Sequence, residues 1–254
     1  MDFKVVLEHH ILDRVVAWIR FAGWELPVSR HLLMMWIAGL LLVGCLPLII
    51  RSRARFFSPF RIAVETVALF IRDEMVIPSL GREGARFTSY FCSLFFFILV
   101  CNLLGLVPFG ATATGNISVT AGMAFTTFLL INFAGIKEQG LVNYLQHMVP
   151  KGVPGWLAPF IFLLEFLSML TKIFALCIRL FANMISGHIV ILSFMGLIFI
   201  FGQVHPLLGL GLTAPLAVTM ILFVSLLEIF VAFLQAYIFT LLTAMFTGAA
   251  MHPH

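Results

Sequence analysis

Residues 178–188 read IRLFANMISGH, inside a stretch from Trp156 to Phe201 that is otherwise almost wholly apolar. An arginine there is expensive. On membrane-insertion scales it costs at least about 2.5–3.5 kcal/mol near the bilayer centre, and its retention points to function. The bland alternative is a structural ion pair joining helices. Four residues on stands Asn183, and nine residues on His188.

The surroundings make this a membrane problem. The chain has 254 residues, 62% of them hydrophobic and only 10% charged, with 28 Phe. A soluble domain needs far more polar surface. Several runs approach or exceed the roughly 20 apolar residues that cross a bilayer. Helices are the expected form, because each closes its own backbone hydrogen bonds in lipid. Runs such as SLFFFILV do not alternate, which excludes a transmembrane barrel. Residues 1–30 carry charges throughout (Asp2, Lys4, Glu8, Asp13, Arg14, Arg20, Glu25), so no cleavable signal is expected. Cys45, Cys92, Cys101 and Cys177 are scattered without ligand spacing and read as inert thiols.

Hydropathy divides the chain into about five membrane segments. The first runs from about Leu32 to Ile50 and ends at the basic cluster RSRAR, Arg51 to Arg55. From Pro59 to Leu80, charges interleave with Ile, Val, Leu and Phe, as in an amphipathic helix lying at the interface. Spans follow at about Thr88–Val107 and Val119–Ile136, joined by the turn-like FGATATGNIS. The polar KEQGLVNYLQHMVPKGVPG holds one short amphipathic stretch. Then come two long apolar segments, 156–201 and 216–247, separated by Gly202, Pro206, Gly209, Gly211 and Pro215. As helices they reach about 69 and 48 Å, against a hydrocarbon core of about 30 Å. They are expected to form a long, strongly tilted helical hairpin. The fold class is therefore an all-α polytopic membrane protein in one membrane domain, 1–254. Residues 1–30 form an extramembrane segment, 31–150 the peripheral spans and interfacial helix, and 151–254 the hairpin.

Seven arginines lie between Arg51 and Arg86, and Lys137 and Lys151 flank a second loop, whereas 108–118 and 202–213 carry no Lys or Arg. The positive-inside rule makes the arginine-rich side cytoplasmic. Five spans then put the N-terminus outside and the C-terminus inside.

Only Glu165, Lys172, Arg179 and Glu228 are charged within the spans. The first three are seven apart, which returns a helix to within about 20° of one face. Asn183 continues that face, and His188 points to the opposite one. Glu228 and Gln235 repeat the seven-residue spacing in the last span, with Thr243 and Thr247 beyond. Folding the hairpin about Leu207 sets Arg179 at the depth of Gln235 and His188 near that of Glu228. Polar groups then lie on both sides of a central arginine without forming one straight file. Two offset half-pathways need that arrangement.

At these residues the chain resembles subunit a of the F-type ATP synthase. The resemblance rests on IRLFANMISGH, on LEFLSMLTKIFA before it, on LLEIFVAFLQAYIFTLLTAMF near the C-terminus and on NLLGLVPFGATATGNISVT upstream. It covers most of the chain from about residue 60. It implies a stator subunit that gives protons two half-channels to a c-ring, separated by Arg179. Asn183 and Gln235 match that arginine's polar neighbours, and Glu165 and Lys172 match charged positions on the cytoplasmic side. His188 and Glu228 match the outer-channel pair, with acid and imidazole exchanged relative to some bacterial members. Asn102 matches the asparagine of the NLxxLxP motif. Gly105 stands where some members carry aspartate. The implied partners are the c-ring, peripheral-stalk b subunits and membrane lipid, and the implied location is a bacterial cell inner membrane rather than an organellar one. The small residues Ala182 and Gly187 are expected to admit a partner helix beside Arg179.

Plainer readings stand beside these. His188 could be a buried histidine satisfied by a carbonyl, and Glu165 and Lys172 could snorkel to the interface. The N-terminal HHILD has no acid at the spacing of an acyltransferase motif, and neither His9 nor His10 has metal-ligand partners. With no nucleophile, metal or cofactor motif, and none for nucleotide or nucleic acid, the chain is expected to be non-catalytic by itself. The competing class is a secondary transporter or ion channel with a buried charge network, though no strong internal repeat is present.

Overall fold

The computed structural model describes residues 15–21, 24–51, 57–107, 112–147, 154–205 and 207–251. The HHILD stretch, most of the RSRAR cluster and Lys151 lie outside the described residues. Two short antiparallel strands come first, β1 (Val15–Phe21) and β2 (Trp24–Ser29), with Phe21 paired to Trp24. The sequence reading held no strand here. Among the described residues, everything after them is helical or connecting chain. The helices are α1 (Arg30–Arg51), α2 (Ser58–Phe70), α3 (Ile77–Leu80), α4 (Thr88–Gly105), α5 (Ile117–Gln139), α6 (Leu141–His147), α7 (Ala158–Val204) and α8 (Ala214–Met251). Among the described residues, five helices are long and apolar enough to cross a membrane: Arg30–Leu48, Gly84–Gly105, Ile117–Gln139, Ala158–Gln203 and Gly211–Met251. The all-helical membrane architecture with its long C-terminal hairpin is therefore present.

Local chemistry sets the boundaries. The Ser29 hydroxyl accepts from the Leu32 N–H at 3.3 Å and caps α1. The Asn116 side chain accepts from the Ser118 N–H at 2.9 Å and does the same for α5. Gly140, at φ 80°, ends α5 in the left-handed region that glycine adopts without strain. Two π-helical stretches, Ile71–Val76 and Leu207–Thr213, each run directly into a helix whose second residue is proline, Pro78 and Pro215. Proline has no N–H to donate, and its ring crowds the carbonyl four residues back. The wider π turn moves that carbonyl away. The segment 58–80 is thus one nearly continuous helical run. It exposes Phe60, Ile62, Leu69 and Phe70 beside an Arg61–Glu65 ion pair at 3.8 Å. That is the amphipathic character expected there.

The chain divides into two compact units, Met1–Gly39 with Leu99–Val119 and Leu180–Gln235, and Leu40–Ile98 with Thr120–Arg179 and Ala236–His254. In the second unit, Ala124, Ile131, Ile173 and Cys177 form an apolar cluster joined by Phe128, Phe246 and Ala250. Polar ties close its periphery. Arg86 binds Glu138 at 2.8 Å, Gln139 donates to the Ala250 carbonyl at 2.6 Å, and the Tyr144 hydroxyl donates to Asn132 at 3.1 Å. Buried Thr243 and Thr247 donate to the Phe239 and Thr243 carbonyls, both at 2.7 Å, so neither hydroxyl is left unpaired in an apolar setting.

Gly248 shows how closely this unit is packed. A Cβ there would collide with the backbone carbonyl of Ser79. Backbone cannot swing aside as a flexible side chain can. Gly248→Val is expected to lower stability by about 1–3 kcal/mol, read as an earlier thermal unfolding in detergent. An unchanged transition would refute this close approach.

Candidate functional site

The first unit gathers much of the polar stripe. Its hairpin arms, Leu180–Val204 of α7 and Ala214–Gln235 of α8, run antiparallel. Asn183 Nδ2 donates to Gln235 Oε1 at 2.7 Å, and His188 Nδ1 lies 3.3 Å from Glu228 Oε1. Folding about Leu207 had set Arg179 at the depth of Gln235. The hydrogen bond sets Asn183 there, one turn further along. The π-helical segment between the arms takes up residues that a tight turn would not, which shifts the register.

Glu228 is the most constrained group. Its side chain is 5% exposed, while that of His188 is 35% exposed. An isolated carboxylate in such a place pays heavily for lost hydration. The imidazole supplies both a hydrogen-bonding group and a potential positive charge. Gly187 makes the approach feasible, because a Cβ at that position would collide with the Glu228 carboxyl group. This corrects the expectation that Gly187 admits an external helix beside Arg179. Eight residues from Arg179, it sits about 80° around the helix and faces α8 instead. Ala182 is exposed, in keeping with its expected position.

Asn102 is fully buried in the same unit. It accepts from the Thr114 hydroxyl at 2.8 Å and its Nδ2 donates to the Ala232 carbonyl at 3.4 Å. It thereby ties α4 and the following loop to α8. Two further residues adjoin the pair, Thr112 directly and His31 through Thr112, and the sequence reading missed both. Thr112 Oγ1 lies 3.2 Å from His188 Nε2, and His31 Nδ1 lies 2.8 Å from the Thr112 carbonyl oxygen. Thr112 had counted only as turn chemistry. The one available signal for His31 was a lone histidine at the head of an apolar span.

The second unit holds the other charges. Glu165 and Lys172 line a cavity of about 210 Å³ together with Gln139, Tyr144 and Phe246. The Lys172 ammonium lies 5.7 Å from the Phe246 ring centroid, within cation–π range. Arg179 is exposed. Among the described residues, no hydrogen bond or ion pair engages its guanidinium. The seven-residue face of Glu165, Lys172 and Arg179 therefore combines two cavity-lining charges with one on the surface.

The ATP synthase A chain family matches residues 32–248, a stretch that includes every residue of the candidate site except His31. The chain belongs to that family. Among similar proteins, the ATP synthase subunit a of Myxococcus xanthus is 43% identical over 238 residues, 91% of this chain and 76% of that protein. ATP synthase subunit a of Anaeromyxobacter dehalogenans is 42% identical over 240 residues, 93% of this chain and 61% of its own length. ATP synthase subunit a 2 of Chlorobaculum tepidum is 39% identical over 261 residues, 96% of this chain and 72% of that protein. The chain thus spans about three fifths of the length of the Anaeromyxobacter relative. Family membership and its membrane-length helices make it a multi-pass membrane protein of the ATP synthase A chain family.

The Asn183–Gln235 bond has a testable asymmetry. Replacing one partner leaves a buried amide unpaired, at about 1–3 kcal/mol, whereas replacing both with apolar groups is nearly neutral. Asn183→Leu and Gln235→Leu are each expected to lower the thermal transition in detergent, and the double variant to recover most of the loss. Additive losses would show that the two amides do not depend on each other.

Proposed function

We propose that this chain is the proton-translocating stator subunit of a bacterial F-type ATP synthase, not catalytic by itself. It offers a c-ring two offset half-channels separated by Arg179. The observation that carries the reading is the state of Arg179, an exposed residue in an otherwise apolar span. A charge presented on an apolar surface calls for an anionic partner from outside the chain. A membrane-buried carboxylate on a rotating ring meets that need.

The physics then runs in one direction. An ionised carboxylate does not enter hydrocarbon, whereas a protonated one does so at far lower cost. Protons reach the ring from the outer side through His188 and Glu228, with Asn102 holding the adjoining loop. Neutralised ring carboxylates rotate away into lipid. On completing the turn, each gives up its proton on the cytoplasmic side, near Glu165 and Lys172. Arg179 lowers the carboxylate's pKa as it passes and so favours release. Asn183 and Gln235 border the arginine with uncharged hydrogen-bonding groups. Arginine keeps its own proton, which blocks a direct leak between the half-channels, whereas a buried lysine can lose its proton. Each charge crossing gains about 2.3 kcal/mol per 100 mV.

Helices of 47 and 38 residues are about 70 and 57 Å long. We read them as strongly tilted against the ring, since upright helices would push apolar ends into water. The stator role also calls for peripheral-stalk b subunits. The arginine-rich side is cytoplasmic, with the N-terminus outside and the C-terminus inside.

Arg179→Ala is expected to abolish proton-driven ATP synthesis while the complex still assembles. Synthesis retained above a few per cent would sink the reading. His188→Glu combined with Glu228→His is expected to recover part of the synthesis that either single change loses. A double variant no faster than the slower single one would separate the two residues.

A further inference from the structure

The His188–Glu228 pair has a neighbour that the hairpin does not supply. Thr112, 4% exposed, sets its hydroxyl 3.2 Å from His188 Nε2. The other ring nitrogen, Nδ1, faces the Met184 carbonyl at 3.2 Å and Glu228 at 3.3 Å. A carbonyl only accepts, so in the neutral ring Nδ1 carries the hydrogen. Nε2 is then the acceptor, and the Thr112 hydroxyl donates to it. A threonine hydroxyl rotates freely and fixes an imidazole only if its own backbone is fixed. Three contacts do this, the first a turn bond from the Gly115 N–H to the Thr112 carbonyl at 2.9 Å. Thr112 packs on Gly105, where even a Cβ would collide with Oγ1. His31, at the head of α1 and 81 residues earlier in the chain, places Nδ1 at 2.8 Å from the Thr112 carbonyl oxygen. The acceptor is again a carbonyl, so His31 donates. All of these residues belong to the first unit.

We infer that His31 is a positioning residue for the His188–Glu228 pair: by clamping the Thr112 carbonyl it keeps the Thr112 hydroxyl on His188 Nε2. The orientation of the imidazole is thereby tied to the first membrane helix. This rests on the proposed role of the pair in proton transfer. His31 does not touch the pair and acts only through Thr112.

The test is ATP synthesis driven by an imposed proton gradient, in membrane vesicles holding the whole complex, normalised to assembled complex. His31→Phe is expected to slow synthesis about 2- to 10-fold, the factor one intramolecular hydrogen bond carries. His31→Asn, whose amide N–H stands where Nδ1–H stood, is expected to restore at least half of the rate. In a Thr112→Val background, His31→Phe is expected to add no further loss, because the hydroxyl being positioned is already gone. A purely structural role for His31 would show neither the rescue nor the lost additivity. Wild-type synthesis in His31→Phe, no rescue by His31→Asn, or effects that multiply would each overturn the inference. If His31→Phe does not assemble, His31→Gln replaces it, since its amide matches Nε2 rather than Nδ1. Equal rates for Gln and Asn would then overturn the inference. His188→Ala in the same vesicles separates the two levels. Wild-type synthesis there defeats the role of the pair itself. Slow synthesis there, with His31→Phe unaffected, defeats only the positioning by His31.

Discussion

A carboxylate removed from water must find a partner, and Glu228 carries that requirement for the first unit. At 5% exposure it has lost nearly all its hydration. The compensating group is one imidazole, and the local fold is arranged to deliver it. Gly187 lacks the atoms that would hold the arms of the hairpin apart. Asn183 and Gln235 lock the register one to two turns away. The loop after α4 closes over the ring through Thr112, while Thr114 and Asn102 fix the loop to α4 and α8. The set is only partly satisfied, since both Glu228 carboxylate oxygens and Gln235 Nε2 are buried without a hydrogen-bond partner among the described residues, and a half-paired network in an apolar setting is costly.

The second unit solves the same problem by different means. Its buried Thr243 and Thr247 bond back to the preceding turn of their own helix, which neutralises them without calling on a neighbour. Its charged groups are not sealed away. Glu165 and Lys172 border a cavity, and Arg179 lies on the surface. Charges left accessible in an otherwise apolar helix keep their freedom to interact with something that arrives and leaves. A buried ion pair would hold the arginine permanently and take away that freedom.

Much of this was legible in the residues. Lipid offers the backbone no hydrogen bonds, so apolar runs of sufficient length had to be helices, and five such helices are present. The cost of intramembrane charge drew attention to Arg179, Glu165, Lys172 and Glu228. Helical periodicity set Asn183 and His188 on different faces, whereas both reach α8. It served less well at the turn, where a π-helical stretch before Pro215 altered the register that a simple fold about Leu207 gives. It also failed at the N-terminus, where β1 and β2 occupy a charged segment without a clear alternating pattern.

The sequence by itself determined the membrane class, the helices, the inventory of polar groups and their spacing along each helix. These follow from local rules, namely the length of an apolar run, the 3.6-residue turn and the penalty for charge in hydrocarbon. Only the tertiary structure decided which groups meet. Asn183 bonds Gln235, Gly187 faces Glu228 rather than the outside, and His31 reaches Thr112 across 81 residues of chain. Those pairings depend on register and close approach between distant segments. A displacement of one helical turn, about 5.4 Å, exceeds the reach of a hydrogen bond and leaves every periodicity in the sequence unchanged.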